Sequence, residues 1–328
     1  MNAMPELSPK ISIIICTNNR AEHLRQTLAS LESVRVPPDM PTELLLVDNG
    51  STDHTAEIVK GFKLSNMPLR YLYEPRRGKG YAYNAGLAAA KGEVLLCTDD
   101  DVRLPPHWIE GMCAPILSGQ ASLVVGGVKI SPHLERPWME MVHRMWLAST
   151  DRLLADHPED VVGANMAFSS EVLQTVPGFD PELGPGGLGC GEESLFCAQL
   201  KKAGYQVVAA LDVVVEHHFD AARLAHKAFI ERARRGGQTY AYLKYHWRHE
   251  TVTYPRLRLL KALLKLGYLR LKNRPNLNDK EGAQLWEMSA VESVHFYKQY
   301  LKERKRPFNY ERFGLERLDG AAGKKGNI

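Results

Sequence analysis

The first part of the chain alternates between short, uninterrupted apolar runs and segments whose apolar residues recur at helical spacing. The apolar runs suit strands that are buried on both faces of a parallel sheet. We predict such strands at Ile11–Cys16, Glu43–Val47, Leu69–Tyr73 and Glu93–Thr98. Helices are predicted between them at Arg20–Ser33, at 52–62 with Ser51 or Thr52 as its N-cap, and at Tyr81–Ala90. The alternation predicts an α/β fold around a mostly parallel central sheet that is flanked by helices.

The rest of the chain continues with less regular elements. Strands are predicted at Ala121–Val128, Val161–Ser169 and Tyr205–Val215, and a helix at Glu192–Ala203. Leu183–Gly191 contains five glycines, which predicts a flexible loop before that helix. The pair Gly236-Gly237 predicts the end of a helix that contains Arg232–Arg235.

The charge is distributed unevenly along an otherwise ordinary globular composition of 44% hydrophobic and 24% charged residues. Residues 221–328 hold 24 Lys and Arg against 10 Asp and Glu, whereas residues 1–220 hold 18 against 28. This split predicts one domain over 1–220 and a basic, mainly helical C-terminal extension over 221–328. Five cysteines without zinc spacing, and no apolar run long enough for a membrane span, predict a cytoplasmic protein that is soluble or peripheral to a membrane.

Three polar clusters follow three of the predicted strands, at Thr17–Arg20, Asp48–Asp53 and Asp99–Asp101. Ligands of parallel α/β sheets bind beyond the carboxyl ends of the strands. We therefore expect the three clusters to share one rim and to form a binding site there. In the first cluster, the candidate binding residues are Thr17, Asn19 and Arg20.

The triple acid Asp99-Asp100-Asp101 is the strongest chemical signal, because adjacent carboxylates need a cation or wide solvation. Hard oxygen ligands at a strand end suit Mg²⁺ or Mn²⁺, which often bridge to substrate phosphates. Asp48 can accept from a nucleoside, and Lys79, in the basic stretch Arg76–Gly80, can bind diphosphate oxygens. The structural alternatives are an acidic turn, a helix cap and a solvated loop.

Two later pairs add acid–base and ligand chemistry. Glu192-Glu193 opens a helix after the glycine-rich loop, where a carboxylate can serve as a general base or simply favour the helix dipole. His217-His218 ends the last predicted strand, where an imidazole can bind a metal; the alternative is a surface histidine pair.

With these residues in place, the chain resembles the family 2 glycosyltransferases, which are inverting enzymes with the GT-A fold. The resemblance runs from about Ile11 to His218. It is carried by ISIIICTNNR, LLLVDNGSTD, GKGYAYNAGL, GEVLLCTDDDVRLPPHWI, GANMAFSSEVL, GFDPELG, GEESLF and the closing VVVEHH. Each segment is loose alone, and their order makes the resemblance specific.

The resemblance implies a role for each matching residue. Thr17, Arg20 and Asp48 would lie in the nucleotide pocket with Asp53 as support, and Asn84 would stand near the diphosphate. Asp99 and Asp101 match the two acids of the Asp-Xxx-Asp motif, with Asp101 the direct metal ligand, and His217 or His218 matches the late histidine of the metal site. Glu193 matches the catalytic base, although the family usually has Asp there. Asn18 and Tyr83 also depart from the family pattern, which leaves the donor nucleotide open.

The basic extension contains one further pattern. In Arg256–Lys272, leucines form an apolar arc, and Arg258, Lys261, Lys265 and Lys272 cluster on the other side. Such a helix either packs on the catalytic domain or binds an anionic membrane surface. The resemblance implies a nucleotide-diphosphate sugar donor, a saccharide or lipid-linked acceptor, and Mn²⁺ or Mg²⁺ as cofactor. No nucleic-acid partner is expected. A non-catalytic nucleotide-sugar-binding scaffold and a nucleotidyltransferase remain as alternative functions.

Overall fold

The computed structural model describes residues 8–151, 162–273 and 280–318. Its strands are β1 (Ile11–Thr17), β2 (Thr42–Asp48), β3 (Leu69–Tyr73), β4 (Val94–Asp99), β5 (Val102–Arg103), β6 (Leu123–Ile130), β7 (Asn165–Ser169) and β8 (Val207–His217). Its α-helices are α1 (Ala21–Leu31), α2 (Thr55–Gly61), α3 (Lys79–Ala89), α4 (Trp108–Leu117), α5 (Met141–Trp146), α6 (Glu192–Lys202), α7 (His226–Tyr242), α8 (Pro255–Lys272) and α9 (Leu285–Glu303). None of the helices in these ranges has the length and apolar character needed to cross a membrane.

The described strands form one sheet in the order β3-β2-β1-β4-β7-β6-β8-β5. The first four strands of this order are mutually parallel, β6 pairs parallel with β8, and β7 runs antiparallel to both β4 and β6. The predicted α/β fold, with a mostly parallel sheet flanked by helices and with helices near the C-terminus, is confirmed.

Strand register places the polar clusters on one edge of the sheet. Thr17 lies beside Asp48, and Cys16 lies beside Asp99, so β1, β2 and β4 end at the same level. The strands hold this register because both faces are buried. Alternate residues of β1 point to opposite sides, Ile13 and Ile15 toward the core under α1 and α4, and Ile14 toward the core under α3 and α6.

Two local predictions were wrong. Helix α2 begins at Thr55 rather than after Ser51 or Thr52, because the Asp53 carboxylate accepts the Thr55 backbone N–H at 3.0 Å. Helix α7 does not end at Gly236-Gly237 but continues to Tyr242. There the missing side chain admits a neighbouring helix, since a Cβ on Gly237 would lie 2.2 Å from the Glu292 carbonyl oxygen of α9. Val161, the predicted start of a strand, lies outside the described residues.

The helices after residue 220 pack on the sheet-bearing part through a shared hydrophobic cluster. Ile130, Leu134 and Leu147 contribute to it from one side, and Phe229 and Met288 from the other. Helix α7 packs on α9, and α9 packs on α8. The helical extension therefore forms a wall beside the carboxyl edge of the sheet.

Candidate active site

A cleft of about 730 Å³ lies at the carboxyl edge of β1 and β4. It is lined by residues from strand ends, from the α3 and α6 N-termini, and from α7. The sequence-predicted residues that line it are Thr17, Arg20, Lys79, Asp99, Asp100, Asp101, Glu192 and Glu193. The chain thus brings most of the predicted site residues together.

Lys79 joins the acidic strand end to the acidic start of α6. Its Nζ lies 2.8 Å from Asp99 Oδ1 and 3.3 Å from Glu193 Oε1. The lysine is largely buried, and burial alone would lower its pKa, but Asp99, Tyr83 and Glu193 raise that pKa well above its ordinary value. A fixed positive charge therefore stands between the two carboxylates.

Asp100 and Asp101 are held from the β1 side. Thr17 Oγ1 donates to Asp100 Oδ2 at 2.7 Å, and the two Arg20 Nη atoms reach Asp100 Oδ1 and Asp101 Oδ2 at 2.8 Å each. Burial, with the Asp101 charge, raises the pKa of Asp100 to about 6 against the opposing charge of Arg20. Burial would also raise the pKa of Asp101, but His217 and Arg20 hold it well below its usual range. Asp101 is therefore the stronger acid of this pair and stays ionised to a lower pH than Asp100.

Asp101 and His217 fit a divalent cation. The Leu147 carbonyl accepts from His217 Nδ1 at 2.9 Å, and this contact orients the ring so that Nε2 lies 3.3 Å from Asp101 Oδ1. Both Asp101 oxygens are buried and accept no well-aligned hydrogen bond from a described residue, although Oδ2 forms the ion pair with Arg20, so each keeps a lone pair for a metal. No three His, Cys, Asp or Glu side chains within 8–151, 162–273 and 280–318 form a preformed metal site. Two protein ligands completed by substrate phosphates would match the usual habit of Mg²⁺.

The acids of α6 occupy different environments. Glu193 faces the cleft against Gly163, where an added Cβ would lie 2.2 Å from Oε1. Glu192 is fully buried and packs on Gly184. Burial and the neighbouring Glu193 raise the pKa of Glu192 well above its ordinary value. The half-buried, cleft-facing Glu193 carboxylate is the one placed to take up a proton.

Six predicted residues do not line the cleft. His217 is buried beside Asp101, and each of the other five has a structural contact instead. Asp48 accepts from Tyr71 Oη and the Ser51 N–H, both at 2.8 Å. Asn19 accepts the Thr52 N–H, Asp53 accepts the Ala21 N–H, and Asn84 pairs with both backbone groups of Phe179. His218 Nε2 lies 2.7 Å from Glu216 Oε1. Their contact with a ligand stays a prediction.

Several cleft residues were missed at the level of sequence. Asn49 holds the basic loop in place, donating to the Glu74 and Arg76 carbonyls and accepting the Gly78 N–H. Its position inside the Asp48–Asp53 cluster was a usable signal. Arg223, Arg232 and Arg235 reach the cleft from the extension, and no local pattern indicated that this part of the chain would fold back onto the sheet edge.

Comparisons with known proteins agree with this architecture. The family model described as Glycosyl transferase family 2 matches residues 12–176 of the chain. The chain is similar to glycosyltransferase AglE of Haloferax volcanii, with 32% identity over 129 residues. That alignment covers 39% of this chain and 42% of AglE, so the chain matches less than half the length of this relative.

Two solved structures share the fold over most of their length. One is the mannosyltransferase PcManGT from Pyrobaculum calidifontis in complex with GDP-Man and Mn²⁺, with a TM-score of 0.58, 19% identity, and coverage of 90% of this chain and 88% of that chain. The other is S. aureus TarS 1–349 in complex with UDP-GlcNAc, with a TM-score of 0.50, 16% identity, and coverage of 90% and 92%. At these identities the likeness is one of fold.

Proposed function

Because this chain belongs to glycosyl transferase family 2 and is a glycosyltransferase, we propose that it moves a sugar from a nucleotide-diphosphate donor to an acceptor hydroxyl with inversion at the anomeric carbon. One observation carries this proposal. Lys79 bridges Asp99 and Glu193, so a diphosphate-binding cation, the acidic strand end and a candidate base face one cleft.

The reaction is a single displacement in which Glu193 acts as the general base. Its carboxylate takes the proton of the acceptor hydroxyl while that oxygen bonds to the anomeric carbon, and the bond from that carbon to the donor diphosphate breaks. The raised pKa of the buried Glu192 beside it disfavours a second negative charge next to the base. Lys79 and Arg77 stand at the cleft to receive the charge that grows on the departing nucleoside diphosphate.

The donor site would be formed from the β1, β2 and β4 strand ends. Thr17 and Arg20 line it together with Asp99 and Asp100. A second set holds the loops that shape it and comprises Asn19, Asp48, Asp53 and Asn84. The GDP-Man complex of PcManGT and the UDP-GlcNAc complex of TarS support a nucleotide-sugar donor in this fold.

Mn²⁺ or Mg²⁺ would be held by Asp101 and His217, with Asp99 beside them and His218 as the alternative imidazole. When bound, the ion would neutralise charge on the donor diphosphate. The Mn²⁺ in the PcManGT complex supports this assignment. The acceptor would be a glycan or a lipid-linked saccharide, and the latter would place the enzyme at the cytoplasmic face of a membrane.

The test begins with calorimetric titration of UDP-, GDP- and dTDP-sugars, each with and without Mn²⁺, followed by an assay for release of the nucleoside diphosphate. We expect one donor class to bind more tightly with Mn²⁺. Glu193→Gln should retain donor affinity and lose about 10²–10⁴-fold in turnover, the usual contribution of a general base.

The matched control is Glu110→Gln, because Glu110 is exposed on α4 and lies outside the cleft. This variant should turn over like the unmodified protein. Equal turnover in Glu193→Gln would reject the base assignment, and failure of all three donor classes to bind would reject the transfer proposal.

A further inference from the structure

Helix α8 presents a row of large apolar side chains to solvent. Their exposed fractions run from 41% for Leu263 to 75% for Leu271. The exposed apolar residues of this helix are Leu257, Leu260, Leu263, Leu264, Tyr268 and Leu271. At about 100° per residue they form one continuous outward arc. A contiguous apolar surface of this kind marks an interaction site.

The opposite side of α8 is already satisfied by packing. Pro255 and Ala262 are buried, Leu259 and Leu266 are half-buried, and the helix lies on α9. A helix that only stabilises the fold needs one apolar face. This helix has a second one, whose large side chains stay 41–75% exposed in the described part of the chain.

The charges on α8 are all positive, because residues 255–272 contain no Asp or Glu. Arg270 is paired with the buried Glu287 at 2.7 Å. The other basic residues form no ion pair with any described residue, and they are Arg256, Arg258, Lys261, Lys265 and Lys272. By the same angular count, Lys261, Lys265 and Lys272 flank the leucine arc on one side, and Arg256 lies within the arc near its other edge, at the start of the helix.

We propose that this face of α8 docks on a membrane surface that carries anionic lipids. The leucine arc would enter the acyl boundary, and the flanking lysines and arginines would meet the lipid phosphates, as in interfacial amphipathic helices. The charge pattern favours this partner over two others. A second copy of the chain would bring two basic flanks together, and a nucleic acid would leave the leucines in water.

The docking face on α8 is connected to the cleft through a series of packed helices. Helix α8 packs on α9, α9 packs on α7, and α7 supplies Arg232 and Arg235 to the cleft. A surface held by α8 would therefore stand in fixed relation to the cleft. The inference goes beyond the proposed function and does not depend on it.

The test is flotation of the full chain with two kinds of vesicle, phosphatidylcholine alone and phosphatidylcholine mixed with phosphatidylglycerol. We expect recovery with the anionic vesicles to exceed recovery with the neutral ones about tenfold at low salt and to fall as salt rises. Leu260→Asp/Leu264→Asp should reduce recovery about tenfold or more, and Lys261→Ala/Lys265→Ala should remove the preference for anionic lipid.

Matched controls lie elsewhere on the surface. Lys302→Ala/Lys305→Ala removes two exposed lysines of the α9 end, and Leu318→Asp charges another exposed leucine. Both should float like the unmodified chain, and all variants should keep its thermal midpoint because the changed side chains are exposed. The proposal is overturned by equal recovery on both vesicle types, by no recovery on either, or by controls that lose binding equally. A dimer in light scattering that Leu260→Asp/Leu264→Asp dissolves would assign the face to a second copy instead.

Discussion

The Glu193 carboxylate has its place in the cleft because the residue facing it has no side chain. A Cβ on Gly163 would come within 2.2 Å of Glu193 Oε1, and real contacts of this kind are never so short. Lys79 meanwhile holds the same oxygen at 3.3 Å. The position of the proposed base is therefore determined by one absent side chain and one cation.

Gly163→Ala should consequently act as a catalytic variant with an intact fold. The new methyl group would push Glu193 away from Lys79, and a misplacement of about 1 Å can cost about 100-fold in rate. We expect turnover to fall at least about tenfold while donor affinity stays unchanged. Steady-state release of nucleoside diphosphate, together with a donor titration, measures both quantities.

Gly61→Ala provides the comparison, because an added Cβ there meets nothing within 4 Å. It should leave turnover and the thermal midpoint as they are. If Gly163→Ala kept full turnover, the orientation of Glu193 would not matter for the reaction, and its role as base would be in doubt.

Residues at strand ends could be predicted from sequence, and residues from distant helices could not. Thr17 and Asp99 follow buried apolar runs that form neighbouring parallel strands. Parallel pairing places the ends of these strands at the same edge of the sheet, independently of the rest of the chain. Arg223 and Arg232 reach the same cleft only because the extension folds back. That path depends on tertiary packing, which no local spacing encodes.

At the scale of elements, α7 and α9 approach closely through the glycines that were predicted to end α7. Gly237→Ala should destabilise this contact, because its methyl group would lie 2.2 Å from the Glu292 carbonyl oxygen. Overpacking typically costs about 1–3 kcal/mol. Urea unfolding should therefore show a lower free energy of unfolding by about that amount.

Gly267→Ala in α8 is the opposite case on a similar helix. Nothing lies within 4 Å of an added Cβ there, so the substitution changes only the conformational entropy of the backbone. Alanine in a helix interior is favoured over glycine by about 0.5–1 kcal/mol, and we expect a gain of that size. Equal effects at both positions would mean that α7 and α9 can move apart at little cost.

The elements themselves were predictable where a pattern was uninterrupted. Strands β1 to β4 and helix α8 lie within about two residues of their predicted bounds. Helix α4 was missed because Gly111 and Pro115, which disfavour helices, lie within its sequence. The structure needs glycine at position 111, because Val213 packs closely against it. The antiparallel direction of β7 was also missed, since an apolar run carries no sign of direction.

At the scale of the whole molecule, ion pairs join the C-terminal segment, residues 304–318, to the sheet-bearing part. Arg317 Nη1 contacts the buried Asp180 at 2.6 Å, and Glu182 pairs with both Arg306 and Arg317. Tyr242 and Tyr310 also donate to Asp180. The division at residue 220 stays a prediction, and these contacts, with the shared hydrophobic cluster, lead us to expect that both parts unfold together.

Glu182 makes this closure sensitive to acid. Burial alone would raise its pKa, but Arg306 and Arg317 lower it from 4.5 to about 2. Here the pKa of the carboxyl is lower in the folded state than in the unfolded state. Such a group stabilises the fold fully at pH values above its unfolded-state pKa. The stabilisation is lost as the pH falls through its folded-state pKa. The contribution should therefore be complete above about pH 5 and should decline between about pH 4.5 and 2.

Glu182→Gln should lower the free energy of unfolding at pH 7 by about 1–2 kcal/mol, a figure reduced for solvent screening. The gap between this variant and the unmodified chain should narrow as the pH falls, because the native carboxyl then becomes protonated. Urea unfolding at a series of pH values measures the gap. Glu311→Gln, at an exposed acid of the same segment, should show no gap at any pH. A gap that stayed constant down to about pH 3 would mean that Glu182 acts through its shape and not through its charge, and that the ion pairs with Arg306 and Arg317 do not hold the C-terminal segment in place.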